Sequence, residues 1–322
     1  MAKKKIKLRY EFKKFLVYFV FFLSLFIYAI FGIVKIHKQY EYEKTYEFKI
    51  LNKGYNKKEL NVFLKKLCNK NKDYILEQEL NDYYYLIVND KYYMDKNFLE
   101  YITYYENHPD VEINRVIARV NTKAYRGWYT NTKPTDTSKD KLILVNKFNY
   151  LDNNYNRDDI VNIPLQYAYY DNTTAQEVLD AYLKMHKDVK ELLNVNLMVN
   201  SSYRTFEDQE KIYNSYRKNG EEYADSYAAR AGYSEHQTGL AIDITSTSNP
   251  SLKAFSESEE YKWLKDNSYK YGFILRYPEG KDDITGYNTE SWHFRYVGEE
   301  VATKIYKEDI TFDEYYAFYI EK

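Results

Sequence analysis

Two of the chain's five histidines stand in its last third, each with a carboxylate close by in sequence. In "SEHQTGLAID" His236 precedes Asp243 by seven positions, and in "TESWHFRYVG" Glu290 precedes His293 by three. An acid at the end of an apolar run calls for a cation, because burying an unpaired charge is costly. Two imidazoles and one carboxylate form a three-ligand set for zinc, with a fourth coordination position open. A metal so held would bring the pKa of water from 15.7 to about 7 and polarise a carbonyl. A free carboxylate is then needed as base, and Glu290 is the candidate. A developing oxyanion also wants a fixed cation, and Arg204 stands where a strand meets a helix cap. Residue types and spacing leave a rival open: both histidines could be core residues, and the HExxH helix of many metallopeptidases is absent.

These residues depend on the elements that carry them. Strand alternation in "GLAIDI" puts Ala241 and Asp243 on one face and Leu240, Ile242 and Ile244 on the other. Seven is an odd count, so a straight strand would turn His236 the wrong way. Gln237-Thr238-Gly239 can supply the turn that swings it round. In a strand from Trp292 onward, His293 and Arg295 share a face, and Trp292 and Phe294 the other. Glu290 reaches the same site only if the chain bends near Ser291. Upstream, "DNTTAQEVLDAYLKMHKDVKELL" predicts a helix with Thr174 and Glu177 as a capping box. Its apolar stripe is Val178, Tyr182, Met185, Val189 and Leu192, with His186 flanking it. "VNLMVNSSYR" reads as a strand, and "TFEDQEKIYNSYRKNG" as a helix running from the cap Thr205 to the stop Gly220.

A length of 322 residues allows two modules, and a formal net charge of -1 with no basic excess excludes nucleic acid as the expected partner. The single cysteine, Cys68, permits no intrachain disulfide and reads as a small apolar residue in a helix. Phe15 to Val34 carries no charge, and a helix of that length spans about 30 Å, the thickness of a bilayer core. No small-residue cleavage site follows, so an uncleaved anchor over 15–36 is expected rather than a removed signal. Lys3, Lys4, Lys5, Lys7, Arg9, Lys13 and Lys14 precede the span, whereas Lys35 and Lys38 are soon diluted by Glu41 and Glu43. Positive charge stays in the cytoplasm, which places the rest of the chain outside the cell membrane.

The remaining segments are a basic tail over 1–14, a charged stalk over 37–50, a small mixed α/β module over 51–128, a turn-rich linker over 129–141 and a last domain over 142–322. In the mixed module, "KKELNVFLKKL" and "KNFLEYITYYENH" read as helices and "YYYLIV" as a strand, with His108 near a helix end.

"SSYRTFEDQ", "GYSEHQTGLAIDI" and "GFILRYPEGKDDITGYNTESWHFRYVG" closely resemble the VanY-like D-alanyl-D-alanine carboxypeptidases, zinc peptidases with a small α+β domain. The patterns S-x-H-x-x-G-x-A-x-D and E-x-W-H both occur, in order, behind a tyrosine-arginine pair. The resemblance covers roughly 140–300 and bears on nothing in 37–125. It implies an α+β fold, a small antiparallel sheet with flanking helices carrying one Zn2+. It also implies His236, Asp243 and His293 as zinc ligands, Glu290 as general base, and Arg204 as the cation that stabilises the oxyanion. Gln209 and Ser234 match positions near the substrate. Ser291, Ser202, Thr205 and Ala231 depart from common residues of the family, which touches loop stiffness rather than the metal. Trp292, Arg276 and Tyr277 belong to the resembling stretch, with packing and ion pairing as strong a reading as substrate contact. The implied activity is removal of the terminal D-Ala from peptidoglycan stem peptides ending in D-Ala-D-Ala. The alternatives are a D,D-dipeptidase, a wall endopeptidase or an inert wall-binding module.

Overall fold

The structure, a computed structural model, describes residues 2–321, apart from the side chains of residues 2–8, 38–40 and 42–45. The flanking charges Lys3, Lys4, Lys5, Lys7, Lys38 and Glu43 lie outside the described side chains. The chain forms two compact units, Met1–Ile102 and Thr103–Lys322.

The first unit is helical. Helix α1 (Ala2–Lys53) runs without a break through the apolar span and the expected stalk. Within it, Arg9–His37 has a mean hydropathy of 2.5 over its most apolar window, none of which is buried; by length and composition it can cross a bilayer. Its last turns pack Tyr46 and Ile50 into a core shared with α2 (Lys57–Lys66), α3 (Asn69–Glu77) and α4 (Asp82–Asn89). Asn56 caps α2 in a reciprocal pair with Glu59, and Leu60, Phe63 and Leu67 face the core as their spacing predicts. "YYYLIV" is not a strand but the body of α4. Asn81 caps its start, and Tyr84, Ile87 and Val88, at helical spacing, are the buried positions. A short apolar run fits either structure, and here the cap and the packing decide. Among the described residues up to Ile102 no strand forms, so this unit is helical rather than mixed. Cys68 is exposed at the start of α3 instead of packed. Helix α5 (Phe98–Asn107) ends where His108 Nδ1 meets the Tyr104 carbonyl at 2.9 Å, a helix-end role.

The second unit opens with α6 (Ile113–Asn121). Residues 129–141, expected as a linker, are integral to it: β1 (Lys133–Pro134) pairs in parallel with β2 (Asn149–Tyr150). A hairpin follows, β3 (Ile160–Ile163) against β4 (Asn172–Ala175), and then α7 (Gln176–Leu193). The expected capping box at α7 does not form. Thr174 lies in β4 and donates to the Gly239 carbonyl at 2.9 Å, and the N-cap Ala175 has no side-chain bond to give. Val178, Tyr182, Met185 and Val189 are buried, but Leu192 is 65% exposed at the last turn. His186 is buried beside the aromatic rings of Tyr167 and Tyr182 rather than lying on the flank.

Strand β5 (Leu197–Ser201), helices α8 (Phe206–Arg217) and α9 (Glu221–Tyr227), strand β6 (Ala241–Ser246), helices α10 (Leu252–Ser256) and α11 (Glu259–Asn267), strand β7 (Phe273–Tyr277), helix α12 (Asp282–Thr285) and strand β8 (Glu290–Tyr296) follow. The unit closes with α13 (Glu299–Glu308) and α14 (Phe312–Tyr315). The four long strands make an antiparallel sheet in the order β5-β6-β8-β7. One face packs Leu240, Ile242, Ile244 and Phe294 with the stripe of α7 in a single core. Burying each such side chain is worth about 1.5–3 kcal/mol, which holds the sheet rigid from behind. The opposite face carries Asp243, His293 and Arg295.

Candidate metal and catalytic site

Strand β6 places Asp243 directly across from His293 on β8, and Ala241 across from Arg295. The alternation read from the sequence therefore holds, with both acid and imidazole on the face away from the core. His236 arrives from a tight turn over Glu235–Thr238, which ends at Gly239 with φ +70. The left-handed backbone at Gly239 favours glycine, and a Cβ there would stand 2.7 Å from Ile160 Cδ1, so the end of that side chain would have to move. Glu290 joins the site through a register slip. Tyr277 faces Glu290 and Leu275 faces Phe294, so four steps along β8 match two along β7. That irregularity is the bend expected near Ser291.

The ligand atoms of His236, Asp243 and His293 all lie within 4.8 Å of one another, and all three residues are buried. His236 Nδ1 donates to the Ser202 carbonyl at 2.6 Å, which leaves Nε2 facing Asp243 Oδ2 at 3.4 Å. His293 presents Nδ1 to Asp243 Oδ1 at 3.2 Å and Nε2 to Glu235 Oε2 at 3.5 Å. Asp243 Oδ1 is buried without a hydrogen bond. A carboxylate with one orphaned oxygen, set between two imidazoles of which His236 is held by the Ser202 carbonyl, fits a divalent ion. Glu290 Oε2 stands 3.5 Å from His293 Nδ1, on the open side.

Charge follows this geometry. Burial, with Arg204 beside it, pushes His236 down to about 4, so its imidazole is neutral near pH 7. Burial opposes ionisation of Asp243, yet the two histidines hold it well below the usual carboxylate range. Burial also lowers His293, but Asp243 and Glu235 outweigh it and raise the ring to about 9. Glu290 is pushed up to about 7, chiefly by burial and against the pull of His293; a carboxyl poised there can both take and return a proton near neutrality.

Arg204 lies between the end of β5 and the cap of α8. Its guanidinium donates to Gln209 Oε1 at 2.7 Å and approaches Asp243 Oδ2 at 3.4 Å. Gln209 is 1% exposed, and its amide group donates to the Ala229 carbonyl at 2.8 Å. Both ends of the Gln209 side chain are thus engaged within the protein, one of them on Arg204, and the residue also lines the cavity over the ligand residues. Ser234, Tyr277, Tyr287 and Trp292 line a cavity of about 260 Å³ that opens over the ligand residues, with Tyr216 and Tyr227 on its wall.

The VanY family, described as D-alanyl-D-alanine carboxypeptidase, matches residues 171–299. The chain is 41% identical over 182 residues to YodJ of Bacillus subtilis (strain 168), covering 54% of this chain and 66% of that protein. It is 36% identical over 131 residues to VanXYC of Enterococcus gallinarum, a bifunctional D-Ala-D-Ala dipeptidase and D-Ala-D-Ala carboxypeptidase, covering 39% of this chain and 69% of that one. The chain belongs to the VanY family. A solved structure of the LdcB LD-carboxypeptidase matches with a TM-score of 0.55 and 37% identity, over 59% of this chain and 91% of that one. The chain spans between 43% and 69% of the length of the curated relatives it matches. The VanY match contains every residue singled out for chemistry from the sequence.

One residue of this VanY site escaped sequence reasoning. Glu235, next to His236, is 1% exposed, and Arg276 Nε and Arg295 Nη1 each donate to its Oε1 at 2.8 Å. The two guanidiniums hold its carboxyl far below the usual range against burial. The signal was present: Arg295 shares the inward face of β8 with His293, and a cation on an inward face requires an anion.

Proposed function

We propose that this VanY-family chain is a zinc D,D-carboxypeptidase that removes the terminal D-Ala from peptidoglycan stem peptides. The observation that carries the reading is the convergence of His236, Asp243 and His293 on one open position, with Glu290 across from it. Zinc bound there would supply Lewis acidity, polarising the scissile carbonyl and acidifying water. The chain's own residues do the rest. Asp243 and the two imidazoles hold the ion, with His236 fixed in one tautomer by Ser202. Glu290, with its pKa near neutrality, takes a proton from the attacking water and passes it to the leaving amine. Arg204, braced by Gln209, sets a fixed positive charge beside the carbonyl oxygen as it gains charge. The cavity walls of Tyr277, Tyr287 and Trp292 orient the peptide and exclude bulk water. We further propose that residues 15–36 anchor the chain, with this domain outside the membrane.

A second reading, an L,D-carboxypeptidase, has one observation in its favour, the similarity to the LdcB structure. Mass spectrometry separates the readings. The whole chain in detergent is incubated with a pentapeptide stem ending in D-Ala-D-Ala, and with the tetrapeptide that lacks the last alanine. The expected result is loss of one alanine from the pentapeptide only, abolished by chelator. Glu290→Gln should keep its zinc and lose about 10²- to 10⁴-fold of the turnover. Loss of an intact dipeptide, attack on the tetrapeptide alone, or full activity of Glu290→Gln would each refute the assignment concerned.

A further inference from the structure

A buried chain of charges runs from the metal site to the C-terminal end of the protein. His293 Nε2 faces Glu235 Oε2, and the other oxygen of Glu235 receives Arg276 and Arg295. Arg276, fully buried, reaches on with Nη1 to Asp313 Oδ2 at 2.5 Å. Asp313, 3% exposed in the first turn of α14, accepts from Asn146 Nδ2 at 2.7 Å through its other oxygen. Asn146 and Asp313 both lie outside the matched residues 171–299.

We propose that Asp313 is a positioning residue for the metal centre, acting on His293 through Arg276 and Glu235. The inference rests on the reading of His236, Asp243 and His293 as metal ligands. A ligating imidazole is oriented by the group its second nitrogen faces, and His293 Nε2 faces Glu235 Oε2 at 3.5 Å, a charge contact between two atoms that have no hydrogen-bond partner. Glu235 can offer Oε2 to the ring only because both guanidiniums are gathered on Oε1. Arg276 stays there because Asp313 accepts from Nη1 at its far end. The charges also balance: two guanidiniums meet two carboxylates in a buried volume. Neutralising Asp313 leaves one uncompensated positive charge beside a site for a dication, where low dielectric makes repulsion strong. It also leaves Arg276 to draw harder on Glu235, loosening that carboxylate from His293. The segment is built to hold Asp313 still. Thr311 and Glu314 form a capping box at the start of α14, and Lys281 pairs with Glu314 at 3.3 Å.

The test uses the whole chain in detergent, with zinc affinity read by competition against a chromophoric chelator and site geometry read from the absorption of bound cobalt(II). Asp313→Asn should bind zinc about 10- to 100-fold more weakly than the wild type, as other losses of outer-shell partners do, with a shifted cobalt spectrum. Asp313→Glu, which keeps the charge, should recover part of the affinity. Zinc affinity within twofold of wild type and an unchanged cobalt spectrum in folded Asp313→Asn would refute the proposal. Should that variant fail to fold by circular dichroism, Arg276→Lys takes its place. A lysine lacks the planar fork by which Arg276 reaches Glu235 through Nε and Asp313 through Nη1, so the same weakening is expected and the same constancy would refute it. Wild-type protein that binds no metal would overturn the reading of the site itself, a result distinct from a bound metal that ignores Asp313.

Discussion

His293 stands among three carboxylates, Asp243, Glu235 and Glu290, each within 3.5 Å of a ring nitrogen. Such company favours the imidazolium, and the ring is raised to about 9 although burial works against it. The nitrogen facing Asp243 is the one a metal would need, and it must be free of its proton to ligate. Proton and metal therefore compete for one atom. Below pH about 9 the proton wins ground, so apparent zinc affinity should fall about tenfold for each unit of pH lowered. His236, pushed down to about 4, adds no competitor above pH 5. Titrations at pH 6, 7 and 8 in non-chelating buffers check this, and a flat profile would show that the carboxylates do not set the ring's proton affinity. At this scale the grouping of His236, Asp243, His293 and Glu290 was legible in the sequence, because such types are rare beside apolar strands. Glu235 was not singled out: Arg295 on an inward face called for an anion, but an acid in a polar turn carries no mark of its own that it is the one.

At the scale of elements, the site is a product of two departures from regular strand. The turn over Glu235–Thr238 converts an odd spacing into a shared face, and the slip opposite Tyr277 does the same for Glu290. Gly239 is the hinge of the first. Gly239→Ala adds left-handed strain and a Cβ within 2.7 Å of Ile160. It should cost about 1–3 kcal/mol of stability and displace His236, lowering zinc affinity as well. Urea unfolding and chelator competition on the same preparation test both halves, and unchanged values in both would show that the turn tolerates a side chain. Period-two alternation was readable in β6 and β8, where one face is wholly apolar. It failed at "YYYLIV", where tyrosines at consecutive positions fit a strand by composition, but Asn81 and the burial of Tyr84, Ile87 and Val88 make a helix. It failed again at Thr174, where a tertiary bond to Gly239 took the hydroxyl that a cap would have used.

For the whole molecule, the first unit carries an unbroken helix whose Arg9–His37 stretch exposes its apolar side chains. Large apolar surface of this kind needs a cover in water, and a bilayer provides one. The full chain should stay with membranes through an alkaline wash, and deletion of residues 1–37 should release it. Recovery of an intact full-length chain in the soluble fraction would refute the anchor. Composition and motif order alone determined the apolar span, the candidate site residues and the family resemblance, because these depend on residue identity and local spacing. The tertiary structure alone decided that residues 103–141 belong with the second compact unit, that Arg204 donates to Gln209, and that Asn146 and Arg276 converge on Asp313. Those pairings join residues up to 167 positions apart. Buried charges find their partners only when the sheet and the C-terminal helices close around them, and no local pattern encodes that closure.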